Sequence, residues 1–155
     1  MYDLQEIEAI KRLKYKYFRC LDTKRWDEMK ECFTEDANAA YSSGKYSFQG
    51  RDQIVQFLID AMNRPTVLSA HHGHHPEIEL TSPTTAVGVW ALADVFIDLQ
   101  AAITVRGAAY YRDDYVKVNG QWKIKFTGYD PIFITIEKLA DRAGLQIVEN
   151  GFEKK

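Results

Sequence analysis

Residues 107–129 read GAAYYRDDYVKVNGQWKIKFTGY, and this stretch decides the fold. Asn119-Gly120 is the strongest short-range signal for a β-hairpin, because both residues accept the positive φ of a type I′ turn. We predict one strand over 107–118 and another from 121 to about 129. The second strand shows a two-residue period in which three apolar residues alternate with lysines: Trp122, Ile124 and Phe126.

Two more strands precede this hairpin. The first is predicted over 68–80 and the second from 86 to about 103, with a turn at Thr81-Ser82-Pro83-Thr84 between them. In the second strand the residues on both faces are largely apolar, so we expect both faces to be covered. One face carries Trp90, Leu92, Asp94 and Phe96.

The N-terminal part of the chain has a helical period. From Leu4 to Leu21 the apolar residues lie three and four positions apart, which predicts one long helix. Three further elements are predicted downstream: a short helix over 25–32, a hairpin over 37–49, and a helix opened by Gly50-Arg51-Asp52 and ended by Arg64-Pro65. A last short helix is predicted over 137–142. Helices followed by an antiparallel meander indicate the α+β class, in a single domain over residues 1–155.

Composition excludes several classes of function. The chain is 46% hydrophobic with a formal net charge of −2 and no basic run, so we expect no nucleic-acid partner. We predict no signal peptide, no membrane span and a cytoplasmic location, because the N-terminus lacks a basic region and the apolar stretches are short. Cys20 and Cys32 do not suggest a disulfide framework. Phosphate-binding and dinucleotide-binding glycine motifs are absent from the sequence.

All four histidines lie in His71-His72-Gly73-His74-His75. On a strand, His71 and His75 would share one face, and His72 and His74 the other. A metal site would need a third ligand that the sequence does not indicate, so we predict no metal. Two alternatives remain: most of these histidines are partly exposed strand residues, or one of them points inward and acts as an acid or base.

Such a histidine needs a carboxylate partner, and the candidates are Asp22, Asp94 and Asp98. Asp94 could equally be a buried but satisfied polar group, and Asp22 a solvated helix end or a cap. Tyr17 lies five residues before Asp22, which is about 140° around an ideal helix. Both side chains would reach one cavity only if the helix unwinds or bends near Asp22.

Several segments, in their order and spacing, resemble the SnoaL-like (polyketide-cyclase-like) branch of the nuclear transport factor 2-like superfamily over roughly residues 5–132. They are Tyr17 to Asp22, Phe33 to Ala37, Phe48 to Asp52, His71 to His74, Tyr111 to Tyr115 and Asn119 to Ile124. The resemblance implies a cone-shaped α+β barrel. In that fold, N-terminal helices pack on a strongly curved, mainly antiparallel sheet and enclose a cavity.

Within that branch the chain looks most similar to bile-acid 7α-dehydratases and scytalone-dehydratase-like proteins. These share an aspartate on the first helix and a histidine on the first long strand, which match Asp22 and His71 here. The resemblance also implies catalytic roles for Tyr17 and Tyr41. We expect four residues to contact substrate: Trp90, Asp94, Phe18 and Tyr129. Pro131 stands where the bile-acid enzymes have an arginine, so bile-acid thioesters or carboxylates are not the expected substrates.

The resemblance therefore implies a cofactor-independent dehydratase. Its substrate would be a small hydrophobic ring compound, such as a steroid, a polyketide or an aromatic metabolite. One alternative is an isomerase or cyclase that uses the same pocket. Another is a non-catalytic binding protein or the small subunit of a ring-hydroxylating dioxygenase, which predicts a filled or narrow pocket. Members of this fold often associate through the outer sheet face, so a homo-oligomer is expected, with a trimer favoured over a dimer.

Overall fold

A computed structural model describes residues 3–153, which form three α-helices and six β-strands. In chain order these are α1 (Leu4–Thr23), α2 (Trp26–Glu31), β1 (Phe33–Tyr41), β2 (Tyr46–Gln49), α3 (Arg51–Met62), β3 (Val67–Ser82), β4 (Thr85–Asp98), β5 (Ile103–Val118) and β6 (Gln121–Lys138). The helices and the meander therefore follow one another as the sequence predicts. Within residues 3–153, no helix has both the length and the apolar composition needed to cross a membrane.

The six strands form one curved sheet in the order β2-β1-β6-β5-β4-β3. All neighbours are antiparallel except β1 and β6, which run parallel. The helices pack on this sheet, and α1 makes its main sheet contact with β3. This arrangement confirms the predicted α+β cone.

Helix α1 is positioned by both of its ends. The Asp3 carboxylate accepts hydrogen bonds from the backbone N–H groups of Gln5 and Glu6, at 3.0 and 3.2 Å, which is the usual N-cap arrangement. Lys24 adopts a left-handed conformation and ends the helix. The buried face of α1 turns toward the sheet, and its residues are Ile10, Lys14, Tyr17, Phe18, Cys20 and Leu21.

Several predicted strand boundaries are wrong, including the starts of β1 at Phe33 rather than 37 and of β5 at Ile103 rather than 107. The second strand of the meander stops at Asp98 rather than near 103, because the Asp98 carboxylate accepts hydrogen bonds from the backbone N–H groups of Gln100 and Ala101 and closes a turn. Strand β6 continues to Lys138 by pairing with the first half of β5. The helix predicted over 137–142 is reduced to a 3₁₀ turn at Leu139–Asp141. Pairing along β5 offers more hydrogen bonds than one isolated helical turn.

Glycine 73 lets α1 and β3 approach closely. A Cβ atom at this position would lie 2.5 Å from the Phe18 ring and 3.2 Å from Trp90. Atoms at 2.5 Å overlap, so only a residue without a side chain fits here. The close approach places the C-terminal turn of α1 directly against the strand that carries His71.

Candidate active site

His71 and Asp22 form a tightly fixed pair at the junction of β3 and α1. The imidazole Nδ1 lies 2.6 Å from Asp22 Oδ1. The His71 backbone N–H also donates to Asp22 Oδ2, and the Ser69 hydroxyl donates to Oδ1, both at 2.8 Å. Because a carboxylate only accepts, Nδ1 carries the proton and the other ring nitrogen, Nε2, is left to act as a base.

The helix does not unwind to bring this pair together. Helix α1 continues to Thr23, so Asp22 remains helical. Asp22 lies behind His71 and does not line the cavity, whereas Tyr17 and His71 do. Tyr17 and Asp22 therefore do not share one cavity, and Asp22 is connected to it by its hydrogen bond to the His71 imidazole.

Asp94 faces the second nitrogen of His71. The two residues are directly paired across β3 and β4, and Asp94 Oδ2 lies 4.0 Å from His71 Nε2. Gly107 pairs with Asp94 on the other side and leaves room for the carboxylate, since a Cβ atom there would lie 2.7 Å from Asp94 Oδ1. At 4.0 Å the two groups do not hydrogen-bond, so a ligand hydroxyl can contact both.

The cavity in front of His71 has a volume of about 470 Å³. Its wall is mostly aromatic and aliphatic, with His71 and Asp94 on one side and the predicted residues Tyr17, Tyr41 and Tyr129 on another. Among the described residues that line it there is no lysine or arginine. The cavity is thus apolar with a negatively charged group at its edge, which suits an uncharged ligand.

Buried tyrosines supply hydrogen-bond donors to this cavity. The hydroxyl groups of Tyr17 and Tyr41 lie 3.2 Å apart. Burial is the largest cause that raises the pKa of Tyr17, Tyr41 and Tyr111 well above the usual value for a phenol. Burial also raises the pKa of Tyr129, whose ring lies 5.8 Å from that of Tyr41. The phenols therefore stay protonated and act as donors.

Trp90 and Phe18 do not line the cavity, contrary to expectation. Trp90 is fully buried, and its indole N–H donates to the Tyr115 hydroxyl at 3.0 Å. Phe18 stacks beside His71 with an interplanar angle of 10° and fills the space that Gly73 leaves. Their aromatic rings support the site from behind, so direct substrate contact from these two residues has no geometric basis.

Two residues of the site were not singled out from the sequence. Ser69 holds Asp22, and Tyr111 lines the cavity. Both could have been identified by following alternate residues along each strand, which share one face. Ser69 lies two positions before His71 and so lies on the same face of the strand. Tyr111 likewise alternates with Asp113 and Tyr115, which are also buried.

The remaining histidines point away from the cavity. His72, His74 and His75 are exposed, and β3 has an irregularity just after His74. His75 has a positive φ of 45°, so it does not share the face of His71 as simple alternation predicts. Residues 3–153 contain no group of three or more histidine, cysteine or acidic side chains placed to hold a metal ion.

Asp98, the third candidate carboxylate, belongs to the turn between β4 and β5. It pairs with Arg64 at 2.8 Å and caps the turn through backbone N–H groups. The residues that line the cavity do not include it. Asp98 therefore serves the fold rather than the site.

Comparison with solved structures supports the fold. A candidate scytalone dehydratase from Novosphingobium aromaticivorans is 27% identical with a TM-score of 0.77, covering 85% of this chain and 87% of that one. The hexachlorocyclohexane dehydrochlorinase LinA-type3 from Novosphingobium barchaimii is 18% identical with a TM-score of 0.77, covering 94% and 96%. A candidate aromatic ring hydroxylase from Novosphingobium aromaticivorans is 18% identical with a TM-score of 0.78, covering 91% and 98%.

The two structures at 18% identity show the fold alone. Together the comparisons show the fold of this chain and name no substrate for it. The SnoaL-like domain family matches residues 3–127, which is most of the sequence. This chain therefore belongs to the SnoaL-like domain family, within the nuclear transport factor 2-like superfamily.

Proposed function

We propose that this protein is a cofactor-independent dehydratase that removes water β to a carbonyl from an uncharged, hydrophobic ring compound. One observation carries the proposal. The imidazole of His71 is fixed by Asp22 at 2.6 Å and faces an apolar cavity that also contains buried phenol groups. A fixed base and fixed donors around one cavity are what a proton abstraction next to a carbonyl requires.

His71 is the general base of this scheme. Its Nδ1–H donates to Asp22, so Nε2 accepts the proton from the carbon next to the carbonyl. The Asp22 carboxylate holds the ring in this tautomer and stabilises the imidazolium that forms. General acid–base help of this kind contributes roughly 10²–10⁴-fold to the rate.

Tyr17 and Tyr41 stabilise the enolate oxygen. Their two hydroxyl groups share one hydrogen bond at 3.2 Å, which uses one of their two hydrogens and leaves the other for the substrate. Because both phenols have a raised pKa, they donate without losing their protons. Fixed donors in a cavity without bulk water contribute several kcal/mol, about 2.7–4 for one oxyanion donor in a well-studied hydrolase.

The leaving hydroxyl group lies between His71 and Asp94. It donates to the Asp94 carboxylate and takes the proton from the imidazolium as the carbon–oxygen bond breaks. The enolate electrons form the new carbon–carbon double bond and the carbonyl is restored. The products are an unsaturated ketone and water, and His71 returns to its neutral form.

The charge of the site favours uncharged substrates. Asp94 lines the cavity, Asp22 lies directly behind His71, and no described lining residue carries a positive charge. Pro131 lines the wall at the position where the bile-acid enzymes have an arginine. A carboxylate on the substrate would face Asp94 without a partner, which disfavours it. Steroids, polyketides and aromatic metabolites without acidic groups fit this cavity best.

The test is direct turnover. Ring-containing β-hydroxy ketones, including hydroxysteroids, are incubated with the purified protein, and product is followed by the absorbance of the unsaturated ketone and by mass spectrometry. Loss of one water that depends on both His71 and Asp22 supports the proposal. A product of unchanged mass would instead identify an isomerase or cyclase. Tight binding of every compound without turnover would identify a binding protein.

A homo-oligomer, with a trimer favoured over a dimer, stays a prediction, as does the cytoplasmic location. The exposed apolar residues Ile132, Phe133 and Ile136 on β6 support association. Light scattering of the purified chain measures the state directly.

A further inference from the structure

Another aspartate, Asp113, lies deep in the cone, beyond the tyrosines that line the cavity. The side chains of Lys14 and Asp113 are both 0% exposed, and Lys14 Nζ lies 2.7 Å from Asp113 Oδ2. Asp113 also accepts hydrogen bonds from the hydroxyl groups of Tyr115 and Thr127, at 2.7 and 2.6 Å. The carboxylate therefore has donors for both oxygens, and the scheme proposed above uses none of these groups.

The ammonium group of Lys14 faces the rings that line the cavity. Nζ lies 3.7 Å from the ring centroid of Tyr111 and 4.6 Å from that of Tyr17. Both tyrosines line the cavity, while Lys14 and Asp113 do not. Burial lowers the pKa of Lys14, and the neighbouring Asp113 carboxylate acts in the opposite direction and favours the protonated form.

We propose that Lys14 is a positioning residue of the cavity: its buried ammonium, held by Asp113, fixes and polarises the Tyr17 and Tyr111 rings so that their hydroxyl groups stabilise a negatively charged oxygen. The inference rests on the proposed function, because that function creates such an oxygen in the enolate. A cation over a phenol ring draws electron density from it and makes the hydroxyl group a stronger donor.

The geometry favours this role over packing alone. A lysine buried only for packing could be replaced by an apolar residue at no electrostatic loss to the cavity. Here the Lys14 ammonium instead contacts the Asp113 carboxylate and also lies over two rings that line the cavity. Only part of the attraction between a desolvated cation and a ring is transmitted to the ring's hydroxyl group, so we expect roughly a five- to tenfold change in affinity for an anion bound there.

The experiment compares an anion with its uncharged analogue. Binding of 4-nitrophenolate and of 4-nitroanisole is measured by absorbance titration on the wild type, Lys14→Met and Lys14→Arg, at a pH where the phenol is ionised. We expect Lys14→Met to lower the ratio of phenolate to ether affinity by roughly five- to tenfold. Lys14→Arg keeps the charge and should restore most of the ratio. In a Tyr17→Phe background, Lys14→Met should change the ratio less, because one of the hydroxyl groups it acts through is gone.

A purely structural role predicts a different pattern. Both affinities would then fall together, the ratio would stay constant, and the proposal would be overturned. If Lys14→Met does not fold, the double variant Lys14→Met/Asp113→Asn leaves no unpaired buried carboxylate, and the same ratio decides the matter.

The readout needs no turnover, so it separates the two proposals. A lowered ratio together with a wild type that dehydrates no hydroxy ketone would retain the role of Lys14 and refute the dehydratase. Dehydratase activity together with an unchanged ratio would retain the dehydratase and refute the role of Lys14.

Discussion

Two aspartates in this fold have almost the same local chemistry and opposite surroundings. Asp22 accepts hydrogen bonds from Ser69 and from two groups of His71, and Asp113 accepts them from Lys14, Tyr115 and Thr127. The Asp22 side chain is 22% exposed, whereas that of Asp113 is 0% exposed. Each carboxylate is paired with a nitrogen base carried on another element.

The difference lies in what the base can still do. His71 keeps one nitrogen free toward an open cavity, so its pair can exchange a proton with a ligand. Lys14 is enclosed by Asp113 and aromatic rings, so its pair can act only through the side chains around it. Access to the cavity, and not the pairing itself, separates a reactive pair from an enclosed one.

The largest expected effect comes from the open pair, His71 and Asp22. His71→Gln removes the base and should lower the rate of water elimination by roughly 10²–10⁴-fold. The temperature of unfolding should change less, because the Ser69 hydroxyl and the backbone N–H of residue 71 still donate to Asp22. Steady-state rates and thermal melts measure the two quantities. Ser69→Ala is the matched control: it loosens Asp22 but keeps the base, so its rate should fall far less. Equal losses in both variants would contradict the role of His71.

Breaking the enclosed pair, Lys14 and Asp113, should mainly lower the stability of the fold. Asp113→Ala leaves the Lys14 ammonium buried without its partner, which typically lowers the free energy of unfolding by about 3–5 kcal/mol. Urea denaturation followed by fluorescence measures this value. Asp22→Asn in parallel should lower the free energy of unfolding much less, since that site reaches solvent. A larger loss for Asp22→Asn than for Asp113→Ala would reverse the comparison.

Gly73 links the two regions, because Phe18 lies against it and also stacks beside His71. Gly73→Ala should displace Phe18 and lower the free energy of unfolding by about 1–3 kcal/mol, the usual range for overpacking. The rate of water elimination should also fall, because displacing Phe18 shifts the His71 imidazole. Gly151→Ala is a suitable control, since no atom lies within 4 Å of its added Cβ. Denaturation and turnover of both variants would show whether the rate loss is specific to Gly73.

The smallest expected effect concerns Asp98, the carboxylate in the turn between β4 and β5. The backbone N–H of Ala101, and then Arg64, hold the pKa of Asp98 below its usual range, against the effect of burial. A lowered pKa in the folded state stabilises the fold above the usual carboxyl range, and this contribution is lost as the pH falls through the lowered pKa. Asp98→Asn should therefore flatten the acid side of the stability–pH curve. Thermal melts across acidic pH would show it, and a curve parallel to the wild type would argue against this role.

The open pair could be predicted from the sequence, and the enclosed pair was not. The histidines form one cluster, and resemblance supplied the aspartate on the first helix. Lys14 lies four residues after Ile10 and three before Tyr17, which is the spacing of a residue on the buried face of the helix. Its partner could not be identified, because Asp113 lies 99 positions later and only the docking of α1 on β5 and β6 brings the two together. The extension of β6 was missed for the same reason, since its pairing depends on the first half of β5.

Strand β6 has a practical consequence for handling the protein. Over 132–136 its residues Ile132, Phe133, Ile134 and Ile136 are each more than half exposed, and within residues 3–153 no strand pairs with the edge opposite β5 there. An uncharged segment of high β propensity on an open edge is a template for aggregation. A monomer with this edge uncovered is therefore limited in concentration by aggregation, whereas an oligomer that buries the edge is not. Ile136→Lys places a charge on that edge, outside the cavity wall, and is the natural substitution for making concentrated samples.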